Sequence, residues 1–264
     1  MMKMKLKVLI RGGGDLATGV ACRLFKSGMN VLITELAKPL VIRRTVAFAS
    51  AVYDGEIIIE GVKGILYKSF PGDFTDFIPV LIDPECKTLK EFNPHVIVDV
   101  TMRKYNIGTK IDMAPLVIAL GPGFTAGVDV HRVIETQRGH FLGCIIYKGS
   151  AEADTGIPGE IGGESHKRIV RAPSDGIFIC EKNIGDRISE GELIGHVNNI
   201  EVYALLSGVL RGIIKSGLYV TKNLKIGDID PRAKKEYITT ISDKARALGG
   251  SVLQAIMEKY NRNA

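Results

Sequence analysis

Short continuous apolar runs, set apart by polar stretches carrying glycine and proline, dominate the first half of the chain: Val8 to Ile10, Val31 to Ile33, Pro79 to Ile82, Val96 to Val100 and Leu116 to Leu120. Continuous runs, unlike alternating ones, are what parallel strands buried on both faces show. Between the first two, Leu16/Ala17, Val20/Ala21 and Leu24/Phe25 recur every four residues and predict a helix that stops at Gly28. A second helix is predicted from Pro39 to Val52 and a short one from Thr88 to Phe92, with short strands at Ile57 to Ile59 and Gly64 to Tyr67. Val128 to Tyr147 reads as two strands around a turn at Arg138 to His140. The pattern predicts an α/β fold, a Rossmann-like open parallel sheet over residues 1–150.

The second half changes character. Residues 151–168 are glycine-rich and poor in apolar side chains, which predicts a linker or lid. Beyond it, RAPSDGIFICEKNIGDRISEGELIG and YALLSGVLRGIIKSGLYVTKNLKIG align without a gap at an offset of 32 residues, pairing Gly176 with Gly208, Gly185 with Gly217, Ile188 with Val220 and Gly195 with Gly227. Matching glycines imply matching turns, and residues 169–232 are expected to form a small two-repeat β-sandwich similar to lipoyl and biotinyl (barrel-sandwich hybrid) domains. The tip between the repeats, His196-Val197-Asn198-Asn199, has no lysine to carry a prosthetic group. Residues 233–264 predict a C-terminal helix with an apolar stripe of Ala245, Leu248, Val252, Ile256 and Tyr260, capped by Thr240 or Asp243. The Gly249-Gly250 pair inside it costs roughly 2 kcal/mol against alanine, which predicts a kink or a close backbone contact.

With 45% hydrophobic residues the 264-residue chain can bury a substantial core. The net charge of +6 is dispersed among interleaved acids, which argues against nucleic-acid binding and suits an anionic small ligand. Cys22, Cys86, Cys144 and Cys180 form no CxxC pair and are expected as reduced thiols. The opening apolar run is cut by Arg11 and three glycines, too short for a signal peptide or membrane span, so a cytoplasmic location is expected.

The candidate chemistry centres on Gly12-Gly13-Gly14-Asp15-Leu16-Ala17 between the first strand and helix. In a dinucleotide site the first glycine permits the tight turn, the second lets the backbone approach a pyrophosphate, and a small third residue lets helix and strand pack. Glu35, at the end of the second run, stands where a carboxylate would hold a ribose hydroxyl. Arg43 and Arg44 are candidates for a phosphate or carboxylate. Asp99, with Gly121 and Gly123 around Pro122, lies at the carboxyl ends of further strands, where open α/β sheets bind ligands. His131, Glu135 and His140 are candidates for proton transfer, with Asp129 on the same strand face, and Cys22 is a more distant candidate for chalcogen transfer. No spacing diagnostic of a metal site occurs.

Taken together, RGGGDLATGVACRLF, PLVIRRTVAFASAVYDG, LGPGFTAGVDVHRVIETQRGH, Thr155-Gly156 and KIGDIDPR resemble the YqeB family, accessory proteins of the selenium-dependent molybdenum hydroxylase system similar in their N-terminal fold to XdhC-type maturation factors. The resemblance implies a maturation factor of a xanthine-dehydrogenase-like enzyme. It would bind a nucleotide-bearing cofactor such as the molybdenum cofactor and pass it to the hydroxylase apoenzyme, alone or as a homo-oligomer. The rival expectation from the fingerprint is an NAD(P)-dependent oxidoreductase, with Glu35 favouring NAD over NADP.

Overall fold

A computed structural model describes residues 5–157 and 159–261. The chain divides into two compact units: unit 1 comprises Met1–Pro39, Ala47–Thr155 and Ile241–Ala264, and unit 2 comprises Leu40–Val46 and Gly156–Thr240. The C-terminal segment therefore belongs to unit 1. Residues 40–46 leave it for unit 2, and the helix expected from Pro39 to Val52 is interrupted at both crossings. In its place are two single 3-10 turns, Arg44–Val46 and Phe48–Ser50, and a one-turn helix.

Unit 1 is organised on a nine-stranded sheet. Its elements in chain order are β1 (Lys7–Arg11), α1 (Asp15–Lys26), β2 (Asn30–Glu35), α2 (Ala51–Asp54), β3 (Glu56–Ile59), β4 (Val62–Tyr67), β5 (Ile78–Ile82), α3 (Leu89–Phe92), β6 (Val96–Asp99), β7 (Leu116–Leu120), β8 (Arg132–Ile134) and β9 (Ile145–Ile146). The strand order is β3-β4-β5-β2-β1-β6-β7-β8-β9. Pairing is parallel from β4 to β8, but both outer pairs, β3/β4 and β8/β9, are antiparallel. The β3/β4 hairpin turns on Glu60 (φ 47°) and Gly61 (φ 81°), two left-handed residues in succession, the geometry that suits a two-residue hairpin loop.

The two faces of this sheet are covered differently. Val8, Ile10, Val31, Ile33, Val96, Val98 and Ile118 point to a helical layer of α1 and the C-terminal helix, whereas Leu9, Leu32, Ile97 and Val117 point to Phe74, Phe92 and Phe124. Coverage on both sides is why the strands read as unbroken apolar runs. On the second face loops and the one-turn α3 cover the sheet with aromatic rings: Phe70, Phe74 and Phe92 pack edge-on or stacked with centroids 5.6 to 6.4 Å apart.

Unit 2 holds β10 (Ile169–Arg171), β11 (Gly176–Cys180), β12 (Arg187–Ile188), β13 (Leu193–Val197), β14 (Ile200–Tyr203), β15 (Gly208–Ile213), β16 (Leu218–Val220) and β17 (Lys225–Asp230). They form two antiparallel four-stranded sheets, β10-β17-β15-β12 and β14-β13-β11-β16. The repeat maps strand on strand: exchanging β10 with β14, β11 with β15, β12 with β16 and β13 with β17 turns one strand order into the other.

The chain returns to unit 1 as α4 (Asp243–Tyr260), capped by Ser242, whose Oγ accepts from the Ala245 N–H at 3.3 Å; Thr240 instead donates to the Glu236 carbonyl. A β-carbon on Gly19 would stand 2.6 Å from Ala245 Cβ, and one on Gly249 would stand 2.8 Å from the Gly19 carbonyl oxygen and 3.2 Å from Arg23 Cβ. The contacts advance together along both helices, so α1 and α4 run parallel and their N-termini lie at the same edge of the sheet.

The expected fold class is thereby corrected. The first unit is a large mixed sheet with few helices, because hairpins close both of its edges and most crossovers carry no helix, and not a Rossmann-like open parallel sheet. The second unit is described by its two antiparallel sheets in place of the lipoyl-like sandwich. Among the described residues no helix is long and apolar enough to cross a membrane.

Candidate site at the carboxyl edge of the large sheet

β1 delivers the glycine turn to the carboxyl edge of the sheet. Gly12 has φ 88°, and a β-carbon there would stand 3.1 Å from the Val100 carbonyl oxygen. Gly13 is closed in by Ala49, whose N–H donates to the Gly13 carbonyl at 2.8 Å and whose nitrogen would lie 2.9 Å from a β-carbon. These two glycines are thus required by the protein's own backbone. Gly14 differs: it is the N-cap of α1, its φ of −63° is open to any residue, and a β-carbon there meets nothing within 4 Å. Ala17 is buried where α1 meets the sheet.

Glu35, the last residue of β2, reaches back to this turn. Its Oε2 accepts from the Gly13 N–H and its Oε1 from the Leu36 N–H, each at 2.7 Å. Burial nevertheless raises its pKa above the usual carboxylate range, outweighing the two hydrogen bonds. Asp15, at the first position of α1, lies where the helix dipole favours an acid.

Asp99 is committed elsewhere. It is fully buried, with Oδ1 accepting from the Thr101 N–H (3.0 Å) and hydroxyl (2.7 Å), and Oδ2 accepting from the Thr109 hydroxyl (2.5 Å) and Arg11 Nη1 (3.3 Å). Arg11 also donates to Thr109 Oγ1 and to the Pro84 carbonyl. A buried ion pair satisfied in this way locks the strand ends together, and sequence patterning had not singled out Arg11.

The second glycine loop is also filled by the protein. Gly121 and Gly123 have φ of 81° and 97°; a β-carbon on Gly121 would stand 2.8 Å from Thr136 Oγ1, and one on Gly123 would stand 2.7 Å from the Tyr105 backbone. The residues proposed for proton transfer are dispersed. His131 Nδ1 accepts from the Val117 N–H at 3.0 Å, and burial lowers its pKa, with Lys259 and Arg132 acting in the same direction. Glu135 is buried, its two oxygens accepting from the Gln137 and Glu152 N–H groups. His140 is exposed against Phe141, and Asp129 accepts from the Thr125 N–H. Burial pushes the Cys22 thiol up to about 12, where it stays protonated and unsuited to chalcogen transfer. Among the described residues no group of three or more His, Cys, Asp or Glu is placed to hold a metal ion.

Arg43 and Arg44 serve unit 2. Arg43 Nη2 donates to the Tyr237 and Thr240 carbonyls at 2.8 and 2.9 Å, and Arg44 Nε donates to the Ile213 carbonyl at 2.8 Å.

Lys244, in the first turn of α4, escaped the sequence reading because it sits between the apolar stripe positions and reads as a solvated lysine. It is half-buried at the edge where α1 and α4 begin. Burial holds its pKa below the ordinary lysine range; Arg138 adds to this, while Asp15, Glu135 and Asp243 oppose it.

The geometry defines a mixed-sheet unit with a glycine turn, a carboxylate and a half-buried lysine at one edge. No family model matches the chain. It is 50% identical over 254 residues to Uncharacterized protein YqeB of Escherichia coli (strain K12), a match covering 95% of this chain and 47% of that one, so the chain spans about half the length of this curated relative. Among solved structures, an aspartoacylase family protein from Mesorhizobium loti is 16% identical with a TM-score of 0.29, covering 88% of this chain and 87% of its own. The product-bound ectoine utilization protein EutE (DoeB) from Ruegeria pomeroyi is 13% identical with a TM-score of 0.26, covering 85% of each chain. A Silicibacter succinylglutamate desuccinylase is 15% identical with a TM-score of 0.27, covering 85% of this chain and 84% of its own.

The motif likeness to YqeB stands at 50% identity over 254 residues, whereas the likeness to XdhC-type maturation factors is corrected. The solved structures named above are an aspartoacylase family protein, an ectoine utilization protein and a succinylglutamate desuccinylase, none of them an XdhC-type maturation factor, and the curated relative's name assigns it no activity. The molybdenum hydroxylase maturation role, and the NAD(P)-dependent oxidoreductase set against it, are withdrawn. The activities in those names belong to the proteins that carry them.

Proposed function

We propose that unit 1 binds a small molecule bearing a ribose and phosphate groups at the carboxyl edge of its sheet. The observation that carries this reading is the contrast within the glycine turn. Gly12 and Gly13 are closed by the protein's own backbone, whereas Gly14 faces open space at the N-terminus of a three-turn helix, with the Glu35 carboxylate held one residue away. Backbone N–H groups at such a terminus suit a phosphate, and a carboxylate beside the turn suits ribose hydroxyls.

Gly14→Asp tests the reading cleanly. The backbone at residue 14 accommodates any side chain and aspartate is a good N-cap, so the variant should fold as well as the parent. Its carboxylate would stand where the phosphates are placed. Titration calorimetry with ADP-ribose should show binding to the parent chain and a loss of at least about tenfold, or ~1.4 kcal/mol, in the variant. Equal affinity in the two, or none in the parent, rejects the reading.

A further inference from the structure

Arg138, Asp15, Glu135 and Asp243 all act on Lys244, yet its ammonium makes no hydrogen bond or ion pair among the described residues. Its neighbours are engaged. Arg138 grips Asp243 through two hydrogen bonds of 3.0 Å, and both Glu135 oxygens accept backbone N–H groups. Asp15, the remaining carboxylate near it, begins α1 directly after Gly14. The parallel packing of α1 on α4, fixed by the Gly19, Ala245 and Gly249 contacts, brings Lys244 to this edge. A lysine kept half out of water without a partner costs stability, and such groups concentrate where a ligand supplies the missing partner.

We propose that Lys244 is a ligand-contacting cation of the unit 1 site, its ammonium donating to a phosphoryl oxygen of the molecule bound at Gly14. This rests on the reading of unit 1 as a ribose- and phosphate-binding unit. It goes further by naming the group that separates a phosphorylated ligand from the bare nucleoside. Lysine binds phosphate as a point charge with rotatable donors, so arginine can take its place in part. Asp15, Glu135 and Asp243 outnumber Lys244 and Arg138, so a phosphoryl oxygen is accepted through direct contact with the lysine's ammonium and is disfavoured once that proton is lost. Affinity should therefore fall as pH rises through a lysine pKa that lies below the usual range.

The test uses the whole chain with ADP-ribose and adenosine as probes, by calorimetry across neutral to alkaline pH. Lys244→Met should lose at least about tenfold in ADP-ribose affinity, keep whatever adenosine affinity the parent has, and lose the alkaline fall. Lys244→Arg should recover most of the affinity and hold it to higher pH. In the parent, ADP-ribose but not adenosine should shield Lys244 from acetylation, read by mass spectrometry, a measurement that needs no variant to fold. ADP-ribose binding that survives Lys244→Met unchanged, or acetylation of Lys244 that ADP-ribose does not slow, overturns the assignment of the lysine and leaves the unit 1 reading standing. A parent chain that binds no ADP-ribose overturns both.

Discussion

Glu35 shows how one side chain couples the turn to solvent conditions. Burial raises its pKa although two N–H groups donate to it. A carboxyl with a raised value holds its proton more tightly in the folded chain than in the unfolded one. Its contribution to stability is therefore most favourable below the unfolded value, about pH 4.3, and declines as pH rises towards the folded value. Glu35→Gln keeps an acceptor for the Gly13 N–H but cannot ionise. The variant's stability relative to the parent should improve as pH rises above about 4.3, read as the difference in urea midpoints. A difference that stays constant, or moves against the variant, would show that the carboxylate gains at least as much from its two donors as it loses by burial.

Among the elements, β17 carries the heaviest electrostatic duty. Asp228 and Asp230 are buried on it, and Asp228 pairs with Arg168 and with Arg211 (2.9 Å), while Asp230 pairs with Arg211 (3.3 Å) and Arg232 (2.7 Å). Arg168 Nη2 also donates to the Gly159 carbonyl at 2.8 Å, so the same charge that ties β10 to β17 holds the glycine-rich stretch in place. Asp228→Asn takes the counter-charge from the buried Arg168 guanidinium and one of two from Arg211, a defect costing about 3–5 kcal/mol when a buried pair is broken. Its expected signs are a lower unfolding midpoint for unit 2 and faster tryptic cleavage at Lys167; unchanged values for both would mean that solvent replaces the carboxylate. Repeat strands were legible in the sequence because paired glycines such as Gly176 and Gly208 mark equivalent turns. The edge strands were legible too, as the short runs Ile57 to Ile59 and Gly64 to Tyr67 and the two strands within Val128 to Tyr147; what no local pattern announces is that these hairpins close the two ends of one otherwise parallel sheet.

Across the whole molecule, chain order and spatial order part company, and this is where the sequence reading of the site met its limit. Apolar runs such as Val96 to Val100 locate strands from local pattern alone. Nothing local says that residues 40–46 leave unit 1, or that the first turn of α4 returns to the edge where Gly14 lies. Arg43 was expected at a ligand's second anionic group. The structure gives it the Tyr237 and Thr240 carbonyls of unit 2, where loss of hydrogen bonds from a charged donor costs about 1.5–3 kcal/mol each. Arg43→Leu and Gly14→Asp should accordingly have opposite signatures in the full chain. Arg43→Leu should lower the melting of unit 2, followed by hydrogen exchange at β15 and β17, while ADP-ribose affinity stays within about twofold. Gly14→Asp should remove ADP-ribose binding and leave exchange in unit 2 unchanged. If Arg43→Leu instead weakens ADP-ribose binding while unit 2 keeps its protection, the arginine contributes to the ligand site as its place after the second strand suggested.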